Sequence, residues 1–356
     1  MRKVLLIALV LADLKVCATT ATPVAQAFRP ADTNNTLTAV PGIKVGHHTL
    51  SERPTGCTVV LAEAGATAGV DVRGAAPATA ETDLLKPSDL VQQIFAISLS
   101  GSSAFGLDAR SGVMKYLDEK NIGYKAYGGR VNVPIVPAAS LIDLGIGDPK
   151  IHVTADCGYR AAQAATSNPV AEGNVGAGAG ATIGKTGAPG RAMKAGIGSA
   201  AIRMADGLIV AALVAVNAAG DVIDPATGKV IAGARTEDGT GLADARVILK
   251  SRGMPQSPRP GENTTLGVVA TNATLTKTQA SRVAEMAHDG FARAIYPSHT
   301  MGDGDTIFAL ATAAKTGNAD VSLIGALAAQ VIADAVVRAA QQATGIPNYP
   351  AARDLK

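Results

Sequence analysis

The sequence predicts one layered α/β domain. Strand-like and helix-like segments alternate from residue 40 onward, and that whole length keeps one composition with no internal repeat. The choice of apolar residue points the same way. Hydrophobic residues make up 47% of the chain and charged residues 17%, yet aromatics are 3%, Trp is absent and there are 39 Gly. Small aliphatic side chains at that density suit sheets and helices stacked in close layers, and the balance excludes wholesale disorder. The net charge of +3 is small and evenly spread, with no basic stripe interleaved with aromatics. Nucleic acid is therefore not an expected partner.

The elements follow in chain order. Met1-Arg2-Lys3, the apolar run 4–12 and Ala25-Gln26-Ala27 have the layout of a secretory signal peptide over 1–27, too short to span a bilayer. A periplasmic or secreted protein is expected. Leu14-Lys15-Val16-Cys17 loosely resembles a lipoprotein cleavage site, but Lys15 stands where a small residue belongs, so lipidation at Cys17 is a minor version of this. Residues 28–40 read as a polar linker and 41–356 as the domain. Within it, 57–62 and 93–99 read as buried strands, and 103–120 as a helix with Leu107, Val113, Met114 and Leu117 near one face. Residues 121–150 read as strand and loop, and 173–184 is a Gly/Ala segment. The strongest strand is 207–217, followed by a turn at Ala218-Ala219-Gly220. Residues 251–263 (SRGMPQSPRPGEN) form an exposed loop by composition. A buried strand over 264–272 comes next, then a helix announced by the capping box Thr276-Lys277-Thr278-Gln279. A strand over 305–312 and a long apolar helix over 322–343 complete the domain, and no segment after the signal is expected to cross a membrane. Cys57 and Cys157 remain once the signal is removed. An oxidising compartment permits a disulfide, but two cysteines make no framework, and two small buried thiols are expected.

Several catalytic patterns nearly match and fail. Gly184-Lys185-Thr186 is the end of a phosphate-binding loop whose first Gly is replaced by Ala179. Gly176, Gly178 and Ala181 fit a dinucleotide fingerprint, but no clear strand precedes them. Gly101-Ser102-Ser103-Ala104 misses a nucleophile elbow because Phe105 takes the last Gly position. His47 and His48 are adjacent, so on a strand they face opposite ways and cannot share a metal. His152, His288 and His299 read as packed or surface residues. Asp303-Gly304-Asp305 lacks the rest of a calcium loop. No cofactor or metal is expected.

The junction at Asn263–Thr264 survives. A loop ending in Gly261-Glu262-Asn263 meets Thr264 at the mouth of a buried strand. An N-terminal nucleophile requires this arrangement: the loop distorts to bring the Thr hydroxyl to the preceding carbonyl, and the rigid strand becomes the active site. The freed α-amine, with an ordinary pKa of about 7.7–8, can then act as general base. Taken alone, the same pattern is an ordinary strand start on a β-branched residue.

Seven stretches in order change that weighting: Gly46-His47-His48-Thr49, RGAAPATAETDLL (73–85), LSGSSAFGLDARSGVMKYL (99–117), GNVGAGAGATIGK (173–185), VAVNAAGDV (214–222), NTTLGVVATNA (263–273) and GDGDT (302–306). Over roughly 38–345 the chain resembles the DmpA-type aminopeptidase family, which includes the β-peptidyl aminopeptidases and the nylon-oligomer hydrolase NylC. The resemblance implies a four-layer αββα sandwich close to that of ornithine acetyltransferase. It also implies self-cleavage into an α chain (28–263) and a β chain (264–356). Thr264 matches the nucleophile, Lys185 the lysine beside it and Asn217 the oxyanion donor. Asp303 and Asp305 match the acidic pair that orients the nucleophile and its amine. Read without the resemblance, Lys185 is a solvated surface lysine, Asn217 a turn former and the two aspartates a solvated turn. One departure stands out: the family often carries an oxyanion-hole Tyr where this chain has Ile142, and neither Tyr124 nor Tyr127 can be assigned that role.

The expected activity is hydrolysis of amide bonds in small substrates, foremost as an aminopeptidase on short peptides, including D- or β-residues. Endohydrolysis of 6-aminohexanoate oligomers is the alternative. An acetyltransferase and a non-catalytic periplasmic binding protein on the same fold are further options. The α/β heterodimer is expected to assemble into homo-oligomers.

Overall fold

The computed structural model describes residues 34–187, 190–252 and 262–355. Its first half contains β1 (Lys44–Thr49), β2 (Gly56–Val72), β3 (Thr79–Ala80), β4 (Ile94–Ser100), α1 (Ala109–Glu119), β5 (Tyr124–Ala126), β6 (Val131–Val133), β7 (Ala138–Ser140) and α2 (Ala155–Gln163). Then come β8 (Thr182–Ile183), β9 (Met193–Lys194), β10 (Ile197–Arg203), β11 (Ile209–Asn217), β12 (Asp221–Ile223), β13 (Val230–Ala232) and α3 (Ala245–Arg252). β14 (Thr264–Thr271), α4 (Lys277–Ala294), β15 (Ile295–Tyr296), β16 (Thr306–Ala311) and α5 (Val321–Gln342) follow.

β2 is the hinge of the architecture. Its residues 57–61 pair with β1 and β4, while 67–72 pair with β16. Between the two halves the register slips, and Gly65 takes φ +86°, open to a residue without Cβ. One strand thus serves two sheets, β1-β2-β4-β7-β3 and β10-β11-β14-β16-β2. Period-two alternation then sorts the apolar residues of β11. Ala211, Leu213 and Ala215 join one core with Val59, Leu61, Ile97 and Leu99 of the other sheet. Val210, Ala212, Val214 and Val216 face a second core with α4 and α5. β14 and β16 alternate in the same way, with Leu266, Val268, Phe308 and Leu310 in the first core. Val113 and Leu117 of α1 and Ala161 of α2 cover the far side of the first sheet. The order helix, sheet, sheet, helix is the expected αββα sandwich.

Several local expectations change. Residues 34–40, read as the end of a linker, belong to the core: Leu37 and Val40 are fully buried, because this stretch packs beside β1 and β10. The helix expected from 103 begins as a tight 3-10 stretch, Ser103–Asp108, and turns α-helical at Ala109. Ser102 and Ser103 both have positive φ, which an α-helix cannot contain. Cys57 and Cys157 are joined in a disulfide and are not free thiols; β2 and α2 bring their Cα atoms to 6.2 Å. α5 is long and apolar enough by length and composition to cross a membrane, contrary to expectation. It is packed, however: Ile324, Ala328, Val331, Ile332, Ala335 and Val336 are buried in the core it shares with α4 and β11. The capping box at Thr276 forms as expected, with Thr276 Oγ1 accepting from Gln279 N and Gln279 Oε1 accepting from Thr276 N. The expected signal peptide over 1–27 and most of the loop expected over 251–263 lie outside the described residues; the first two positions of the latter instead complete α3.

Candidate active site

Three strand ends meet at Thr264. It is the first residue of β14, and in the antiparallel register with β11 its partner is Asn217, the last residue of that strand. On the other side β16 runs parallel to β14, and this pairing reaches back one bridge, Asn263 to Asp303. The GDGDT segment therefore lies against the Asn263–Thr264 peptide bond. Lys185 comes from the segment after β8, which is strapped to the turn after β11 by Gly184 N to Gly220 O (2.9 Å) and Thr186 N to Ala219 O (3.1 Å). All five residues assigned by resemblance thus lie around one peptide bond.

The contacts are short and directional. Thr264 Oγ1 lies 2.5 Å from the Asn263 carbonyl oxygen, to which it donates. Gly304 N donates to that same oxygen at 2.9 Å. Lys185 Nζ donates to Asn217 Oδ1 at 2.9 Å and to the Glu262 carbonyl at 3.1 Å. Asn217 Oδ1 also accepts from Thr182 N at 3.0 Å, so its amide has one orientation, with Nδ2 donating to the Ile142 carbonyl at 2.8 Å. Asp305 Oδ1 accepts from Thr265 N at 2.7 Å, and Oδ2 accepts from His299 N and pairs with His299 Nδ1 at 2.8 Å. Asp303 Oδ2 accepts from Thr300 N at 2.6 Å, whereas its Oδ1 is buried with no close hydrogen-bond partner among the described residues.

Burial tunes the charges. Thr264, Asn217, Asp303 and Asp305 are all buried. Desolvation pulls the Lys185 ammonium down to about 7, against the opposing pull of Asp303, Glu262 and Asp143. Near neutral pH this amine is poised between its two forms. Burial first, and then the neighbouring Asp305 charge, raise Asp303 above the usual carboxylate range. Behind Asp305, burial lowers His288 to about 4, so its ring is neutral at pH 7; it meets the His299 ring edge-on at 4.9 Å.

Thr264 opens into a cavity of about 340 Å³ lined by Ala76, Ala78, Thr79, Ser103, Ser140 and Ile142, among others, none of them charged. Ile142 thus stands at the site, and what it offers there is its backbone carbonyl, which holds Asn217. Next to it Asp143 anchors the wall. Arg53 pairs with it at 2.7 Å, both side chains fully buried, and Thr55 Oγ1 and Ser102 N complete its hydrogen bonds. Tyr124 and Tyr127 are exposed and do not line the cavity.

Two participants were missed in the sequence. His299 reads as a lone packed histidine, yet it fixes Asp305. Gly304 has no side chain to signal its role, though its place between two aspartates was visible. A Cβ on Gly304 would stand 2.7 Å from Thr264 Oγ1 and 2.7 Å from the Ala76 carbonyl, so only Gly lets this backbone approach the nucleophile.

Comparison with known proteins identifies the family of the chain. The family model for peptidase family S58 matches residues 35–351. The chain is 41% identical over 346 residues to an uncharacterized aminopeptidase of Mycobacterium leprae, covering 88% of this chain and 93% of that protein. It is 30% identical over 315 residues to the 6-aminohexanoate-oligomer endohydrolase of a Kocuria species, covering 85% and 84%. Among solved structures, a β-aminopeptidase of a Burkholderia species superposes with TM-score 0.63 at 26% identity, covering 88% of each chain. The L-aminopeptidase D-Ala-esterase/amidase of Ochrobactrum anthropi, a variant of the Ntn-hydrolase fold, superposes with TM-score 0.63 at 20% identity, covering 89% and 90%.

Proposed function

The chain belongs to peptidase family S58 and is a hydrolase of amide bonds, and we propose that it cuts its own Asn263–Thr264 bond and works through the freed Thr264. The observation that carries this reading is the 2.5 Å approach of Thr264 Oγ1 to the Asn263 carbonyl oxygen. In the first stage Oγ1 attacks the Asn263 carbonyl carbon. Its proton passes to Lys185, whose amine is partly neutral near pH 7, and is returned to the Thr264 nitrogen as the C–N bond breaks. Water hydrolyses the resulting ester, leaving an Asn263 carboxylate and a Thr264 amine.

In the second stage the same hydroxyl attacks a substrate amide. The α-amine of Thr264 takes the proton, and Asn217 Nδ2, a donor of two N–H bonds, stabilises the oxyanion. The acyl-enzyme is then hydrolysed. Asp305, held by His299, fixes Thr265 N and with it the start of β14. Thr264→Ala tests the reading: the variant is expected to stay full-length and inactive, and an active Thr264→Ala protein would refute it.

For substrate, short peptides cleaved from the amino end are the first reading, in keeping with the relatives named aminopeptidases. A specific observation favours a second. Among the described residues that line the cavity at Thr264 none is charged, which suits an uncharged acyl group as in an amide oligomer cut internally. Turnover of alanine p-nitroanilide against 6-aminohexanoate oligomers separates the two. We also propose export, which the Cys57–Cys157 disulfide favours. Further assembly of the processed α/β pair is proposed on the exposed Tyr124, Tyr127, Val131 and Val133 around β5 and β6.

A further inference from the structure

We propose that the backbone N–H of Gly304 is the oxyanion donor of the self-cleavage step. The proposal rests on the self-cleavage reading above. Among the described residues the Asn263 carbonyl oxygen has two donors, Thr264 Oγ1 at 2.5 Å and Gly304 N at 2.9 Å. They have different fates. When Oγ1 attacks the carbonyl carbon it gives up its proton and ceases to be a donor. The C–O bond forms, the carbonyl π electrons move to the oxygen, and Gly304 N–H stays aimed at the charge that has developed. The electrons return as the C–N bond breaks and the Thr264 nitrogen takes the proton. A donor whose interaction strengthens as charge builds lowers the barrier, whereas one equally strong in the ground state does not.

The surroundings make this donor rigid. Gly304 lies between Asp303, whose Oδ2 accepts from Thr300 N, and Asp305, whose carboxylate is held by Thr265 N and His299. On its other face Asp303 O accepts from Ala76 N and Asp305 O from Gly74 N. The donor is thus fixed before the charge appears and needs no reorganisation. Asn217 Nδ2 is engaged elsewhere, on the Ile142 carbonyl, and makes no hydrogen bond to the Asn263 carbonyl oxygen. The two stages therefore use different donors: Gly304 N–H on the precursor carbonyl, and the Asn217 amide on the substrate.

A merely structural role is the alternative, since the same bond extends the parallel pairing of β14 and β16 by one bridge. Replacing the peptide N–H of residue 304 by an ester oxygen, with glycolic acid introduced during cell-free translation, tests it in the full chain. The control is the same replacement at Thr312, whose N–H donates to the Thr271 carbonyl at the other end of that pairing. Self-cleavage is followed as the appearance of two fragments on a denaturing gel. The ester at 304 is expected to slow cleavage by about 10²–10³-fold, with the ester at 312 leaving the rate within about threefold of the unmodified chain. Equal slowing by both esters, or an unchanged rate with the ester at 304, would overturn the proposal. An unmodified chain that never cuts would refute the self-cleavage reading itself.

Discussion

Lys185 carries the heaviest demand of any single residue. Before cleavage there is no free α-amine, so the first stage needs another base, and Lys185 Nζ sits on the Glu262 carbonyl and on Asn217, the register partner of Thr264. Its pKa of about 7 sets the direction of the pH dependence. Below that value the ammonium cannot accept a proton; above it the free amine can. Self-cleavage of freshly made precursor is therefore expected to speed up with rising pH through about 7 and then level off. Lys185→Met is expected to slow it by about 10²–10⁴-fold, the range of one lost acid–base group, as read from the time course of fragment formation. Asp143 tests the opposite kind of residue. Its bond with Arg53 is fully buried, so Asp143→Ala leaves an uncompensated guanidinium and is expected to cost about 3–5 kcal/mol of stability in a denaturant titration. Lys185, Asn217, Asp303 and Asp305 were legible as members of motifs. His299 belonged to none of them, and Gly304 stood in one without any sign of its own role. One acts only through Asp305, and the other acts through a backbone group that every non-proline residue shares.

At the scale of elements, long periodic segments were legible and short or bent ones were not. β11, β14, β16 and α5 lie within a residue or two of their expected bounds, and α4 begins directly after Thr276, where its capping box places it. The second half of β2 was missed because its 63–72 stretch alternates Gly and charged residues with small ones, and its identity as a strand comes from β16, far along the chain. β1, β10 and α2 depend in the same way on partners that local sequence does not reveal. The capping box of α4 illustrates the legible kind, since both of its bonds are local. Thr276→Ala is expected to lower stability by about 1 kcal/mol, measured by thermal unfolding, and to leave the self-cleavage rate unchanged, because the cap bonds of Thr276 are made to Gln279 in the first turn of α4.

At the scale of the molecule, the four layers were implied by family motifs and not by composition, which supports any layered α/β arrangement. The disulfide was not legible either: β2 and α2 lie 100 residues apart along the chain and meet only in the folded state. Closing so long a loop restricts the unfolded chain, so Cys57→Ser with Cys157→Ser is expected to cost about 2–4 kcal/mol, seen as a lower denaturant midpoint. A mass spectrum of the purified protein, recorded under denaturing and reducing conditions, bears most directly on the whole account. Two polypeptides are expected, one of them beginning at Thr264. A single mass for the uncut chain in a preparation that hydrolyses amides would contradict it.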